Sequence, residues 1–153
     1  PLMGVPFGWA KPVPVNPARF RRDVRMGTGM AITAAAGPAS NLALALLCGL
    51  GLGLVLRLDP AGPGVGLAEL LNKAVLLNIP LALFNLLPIP PLDGSRIVDG
   101  FLPHRLRPQW EALGRVAPFL LVGVFFFGWR IIGAPAVALY HWIYDLSLRL
   151  AGA

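Results

Sequence analysis

Met30 to Leu56 carries no charged side chain, and an uncharged run of that length leaves few folds open. A helix crossing the hydrocarbon core of a bilayer, about 30 Å thick, needs about 20 apolar residues, and this run exceeds that. Two further uncharged runs follow: Ala74–Leu92, between Lys73 and Asp93, and Val116–Trp129, between Arg115 and Arg130. Apolar residues then resume from Ile131 to Tyr144. The third run is short alone. Either it extends through Arg130, whose side chain would snorkel to the interface, or it pairs with Ile131–Leu148 as a second, shorter helix. Gly133 and Pro135 favour a break there.

Composition agrees. Of the 153 residues 56% are hydrophobic and 13% charged, where globular chains carry about 25% charge, and a soluble domain could not keep so much apolar surface from water. Disorder requires the opposite balance, and the single cysteine, Cys48, excludes an internal disulfide framework. The expected fold is all-α, a multi-pass integral membrane protein with three to four transmembrane helices and a short extended N-terminal segment. The spans are expected at about 37–56, 74–92 and 116–131, with 132–148 as the fourth candidate. A Pro-rich linker over 1–29, a membrane domain over 30–148 and a tail over 149–153 complete the organisation.

The basic residues orient it. Lys11, Arg19, Arg21, Arg22 and Arg25 precede the first run, Arg57 and Lys73 bound the next loop, and Arg96, Arg105, Arg107 and Arg115 lie in 93–115. This alternation places the N-terminal segment and the 93–115 loop on the cytoplasmic side. Topology and anionic headgroups therefore account for the net charge of +6. Nucleic acid is not an expected partner, because no aromatic-interleaved basic patch accompanies the charges. A secretory signal peptide does not explain the first run, which starts thirty residues in and far exceeds a signal core.

The spans are unusual inside. Gly37-Pro38 interrupts the first, and proline is tolerated in the first helical turn but not the middle. The regular helix is therefore expected from Pro38 or Ala39 to about Leu56, roughly 27 Å. Gly49 and Gly53 have the four-residue spacing of close helix packing, and Asn41 must face protein or a cavity. The second run holds Asn78, Asn85, Pro80, Pro88, Pro90 and Pro91 and ends in Asp93-Gly94. Its helix should stop near Asn85–Leu87, leaving Pro88–Leu92 extended; unwound chain at membrane depth lines a cavity or is buried in protein. Asp93 reads in two ways, as a functional carboxylate at the end of that segment or as part of a surface turn, Leu92-Asp93-Gly94. Upstream, Pro12 and Pro14 leave either an extended strand with one usable edge or a Pro-rich loop at the headgroups, with Phe7 and Trp9 as interface anchors. His104 reads as an exposed loop histidine, and His141, between Tyr140 and Trp142, as part of an interfacial aromatic belt.

Three segments together resemble the site-2 protease family, multi-pass zinc metalloproteases that cut substrates within the bilayer. They are Gly37-Pro38-Ala39-Ser40-Asn41, the run Asn85-Leu86-Leu87-Pro88-Ile89-Pro90-Pro91-Leu92-Asp93-Gly94, and Gly8–Pro17, which is similar to the linker of the compact prokaryotic branch. In that linker the family has a membrane-surface hairpin whose edge could accept an unwound substrate strand. The resemblance implies one zinc held by two histidines of an HExxH helix and an aspartate. Such a site leaves a fourth position for water, whose pKa the metal lowers, and a glutamate beside the first histidine serves as base. By resemblance Asp93 is the metal ligand, Asn85 donates to the oxyanion, and Asn41 supports the site. The implied substrate is a transmembrane helical protein, unwinding near Pro88–Leu92, and the implied location is the cell membrane, a prokaryotic inner membrane. No HExxH occurs in the chain, whose only histidines are His104 and His141. The expectation is that Pro1 opens a truncated chain whose histidine helix belongs upstream of Gly8, and that these residues alone neither hold zinc tightly nor hydrolyse anything. The alternative is a non-catalytic membrane scaffold or transporter-like element, since broken helices with polar residues at mid-depth also suit transporters.

Overall fold

The computed structural model describes residues 26–59 and 64–152. The Pro-rich segment around 12–15, with Phe7 and Trp9, lies outside them. The described residues form five α-helices and no strand: α1 (Met26–Leu58), α2 (Val65–Asn85), α3 (Asp93–Phe101), α4 (Arg107–Phe127) and α5 (Trp129–Ala151), with a 3-10 turn at His104–Leu106 before α4. This is an all-α membrane protein. Gly27–Leu58, Val65–Asn85 and His104–Phe127 are long and apolar enough to cross a bilayer.

The first helix begins twelve residues before the expected start and carries Pro38 inside it. Proline there removes one backbone donor and crowds the carbonyl four residues back, that of Ala34. Membrane helices tolerate this where neighbouring protein packs on the bend, and Pro38 is almost fully buried. Pro80, Pro118 and Pro135 likewise sit inside α2, α4 and α5. The break expected near Gly133 and Pro135 falls instead at Gly128, between α4 and α5. A Cβ there would collide with the Val124 carbonyl oxygen, whereas Gly133 only makes room for the Trp129 ring, 3.0 Å from where its Cβ would be.

A three-helix bundle of α1, α2 and α5 holds the core, built from Ala45, Val75, Ile79, Ile132, Ala136 and Ile143. Glycine lets α1 and α5 meet closely: a Cβ at Gly49 would overlap Ile143, and one at Gly53 would stand 2.5 Å from the Ser147 carbonyl oxygen. Between membrane helices there is little hydrophobic drive, so close packing through small residues and interhelical hydrogen bonds hold them together. One such bond joins α5 to α2, with the Tyr140 hydroxyl donating to Asn72 Oδ1 at 2.9 Å. A double-mutant cycle of Asn72→Ala and Tyr140→Phe, read by unfolding in mixed detergent, should give a coupling of about 0.6 kcal/mol and no more than about 1.7 kcal/mol. Strictly additive losses would mean the bond contributes nothing.

Candidate metal-ligand site

The site is built where α2 ends and α3 begins. The Asn85 end of α2 is closed by Leu86 N–H donating to the Ala82 carbonyl (3.0 Å) and Leu87 N–H to the Phe84 carbonyl (3.1 Å). Three prolines strip donors from the next residues, and the two N–H groups that remain before Asp93 both bond locally: Ile89 to the Leu87 carbonyl at 2.8 Å and Leu92 to the Ile89 carbonyl at 2.9 Å. The segment expected to be extended is therefore a chain of tight turns, with a cis peptide at Pro90–Pro91. It sets the start of α3 against the end of α2, and α3 continues in the same sense. Gly94 marks the contact, because a Cβ on it would overlap the carbonyl oxygens of Leu86 and Leu87. Ser95, buried, secures the first turn of α3 by donating its Oγ–H to the Leu92 carbonyl at 2.7 Å.

From there α3 runs antiparallel along the first third of α1. At its far end Gly100 and Gly27 approach backbone to backbone; a Cβ on Gly27 would stand 2.7 Å from the Gly100 carbonyl oxygen. At its near end the half-buried Asp93 lies against Gly37, whose Cβ, if present, would be 2.8 Å from Asp93 Oδ2. The two sequence motifs thus meet in space: the glycine of Gly37-Pro38 leaves the room that the aspartate carboxylate occupies. Asp93 also stands in the first turn of α3, where the helix dipole favours negative charge. Asn41 lies one turn beyond Gly37, on the same face of α1, and Asn85 is the last residue of α2. Asn72 and Asn78 use their amides in hydrogen bonds to Tyr140 and to the Ala74 carbonyl. Asn41 and Asn85, both half-buried, have no side-chain partner among the described residues.

The donor set decides what metal chemistry these residues can support. Among the described residues no three His, Cys, Asp or Glu side chains come together as a metal cluster. His104 is exposed in the 3-10 turn, and His141 is exposed on α5, lining a cavity of about 240 Å³ with Pro80 and Trp129. Neither is brought to Asp93. A catalytic zinc takes three protein ligands, and at this position the described residues offer a single carboxylate arm. Sequence reasoning missed the roles of Gly37 and Gly94, although the signal was present in the two glycines flanking the motif residues.

A membrane helix bundle in which a half-buried carboxylate sits between a proline-rich turn and a glycine defines a class. The Peptidase family M50 profile matches residues 61–126, a segment that includes both Asn85 and Asp93. The chain belongs to that family, the site-2 proteases. It is 39% identical over 109 residues to the Bacillus subtilis (strain 168) protein named "Putative zinc metalloprotease YwhC", a match that covers 67% of this chain and 47% of that protein. The chain thus spans about half the length of this curated relative. No solved structure matches it.

Proposed function

We propose that this chain forms the carboxylate-bearing part of an intramembrane zinc metalloprotease that hydrolyses peptide bonds of transmembrane helical proteins in a cell membrane. The observation that carries this reading is the contact of the two family motifs, the Asp93 carboxylate resting on Gly37. Asp93 is the oxygen ligand, one of the three protein ligands that such a zinc takes. Zinc, when bound, lowers the pKa of a coordinated water and polarises the scissile carbonyl. Asn85 presents a neutral amide donor to the oxygen on which negative charge develops, and such donors act most strongly where water is excluded. Asn41, on the α1 face that carries Gly37, orients the site from the side. The turns from Leu86 to Leu92 keep an unwound stretch of chain next to these groups, where a substrate segment that has lost its own helix can lie.

Zinc analysis of the whole protein tests the reading. Purified in detergent, it should hold zinc, lose cleavage of a transmembrane peptide on chelation and recover it when zinc is returned. Cleavage that persists without metal would overturn the proposal; a whole protein that never binds zinc yet still captures helices would establish the scaffold alternative. Asn85→Ala should lower kcat by about 10²-fold with zinc retained, and loss of metal in that variant would remove Asn85 from the oxyanion role.

A further inference from the structure

The bundle has two distinct ends, and its packing pairs fix which helices run from one to the other. α5 runs parallel to α1, since Ile143 meets Gly49 and Ser147 meets Gly53. α2 runs antiparallel to both, with Leu71 facing Gly51 and with Pro80, Ile79 and Leu76 beside Trp129, Ala136 and Tyr140. One end therefore carries Gly37, Asn85 and Trp129, and the other carries Leu58, Val65 and Ala151.

Against this frame α4 begins and finishes on the same side. It starts five residues after α3, whose Gly100 has already reached Gly27 beyond the Asp93 end. Its last turn returns to that end, where Val124 and Phe125 share a cavity of about 500 Å³ with Leu81 and Phe84 of α2 and with Trp129 and Ile132 of α5. At 21 residues the helix is about 31 Å long, long enough to cross, but a crossing would deliver Phe127 to the Leu58–Val65 end and start α5 there. Its chemistry is graded. Arg105, Arg107 and Arg115 are exposed around its start, and Phe119, Phe125, Phe126 and Phe127 are exposed along its second half. Basic residues at one end and bare aromatics at the other suit a helix that enters one leaflet from the headgroups.

We propose that α4 is a half-inserted helix: it dips into the leaflet on the Asp93 side, its phenylalanines among the acyl chains and its arginines at anionic headgroups, and passes into α5 at Gly128 without having crossed. The third crossing of the described residues is then α5, the less apolar of the two helices, and the chain's C-terminal end faces the side opposite Arg105. The inference rests on helix packing and does not depend on zinc.

Single-cysteine variants of the whole protein in its membrane, with Cys48→Ala as background, test it. Arg105→Cys and Gly152→Cys should react with an impermeant maleimide from opposite faces, and the pair Phe84→Cys with Phe125→Cys should be joined by a short bifunctional maleimide. Labelling of both single sites from one face overturns the proposal. So does failure of the Phe84–Phe125 pair to link, or linking of Phe125→Cys to Leu67→Cys at the far end of α2.

Discussion

Asp93→Ala in the whole protein should abolish zinc retention and peptide cleavage together while leaving the fold in place. The side chain stands in the first turn of α3 against a glycine. Among the described residues its carboxylate takes part in no ion pair or side-chain hydrogen bond that ties helices together; the one ion pair found there joins Lys73 and Glu69 on exposed faces of α2. Removing it therefore takes away few contacts, and unfolding in detergent should shift by about 0.5 kcal/mol or less, as for sites outside the core. The metal has no such reserve. Changing residues that merely support ligands costs about 10–100-fold in affinity, and loss of a ligand should exceed that, leaving cleavage below detection. Asp93→Asn, which keeps the shape and removes the charge, should likewise lose metal without unfolding. Zinc retained at the normal level in Asp93→Ala would refute the ligand assignment, and unfolding of both variants would make Asp93 a structural residue.

The all-α membrane architecture was legible because long uncharged runs leave a chain no other solvent, and the end of α2 at Asn85 was legible because four prolines follow or interrupt it. What sequence could not rank was one proline against another. Pro38 reads as a helix start and Pro135 as a break, yet both lie inside helices, because tertiary packing around a bend compensates the lost backbone bond and a local rule cannot see the neighbour that does so. Hydropathy similarly favours α4 over α5 as a spanning helix, although α5 carries the core residues Ile132, Ala136 and Ile143 and α4 buries little but Ala117. Apolar content measures how well a helix tolerates lipid; the bundle selects by small residues and shape, such as Ile143 against Gly49. Asp93 and Asn85 could be singled out in the sequence because polar groups at membrane depth are costly. Gly37 could not be tied to Asp93, since 56 positions separate them and only the fold shows one filling the space the other leaves.

That separation yields a sharp expectation for Gly37→Ala. Alanine is the better helix residue by about 1 kcal/mol, so local propensity alone predicts a protein at least as stable as the original. The new methyl would stand 2.8 Å from Asp93 Oδ2, closer than such contacts allow, and the carboxylate is the mobile end of a short side chain. It is Asp93 that must yield. Gly94 contrasts with this, since its neighbours are the main-chain oxygens of Leu86 and Leu87, which cannot swing aside without parting α3 from α2. Gly37→Ala should therefore leave the unfolding transition unchanged or slightly raised while activity falls by about 10²-fold, the cost of misplacing a reacting group by about 1 Å, and zinc affinity should fall with it. Gly37→Val, bulkier and β-branched, should fall further in both. Full activity in Gly37→Val would mean that the carboxylate has somewhere else to go and that its seat on α1 does not set its position.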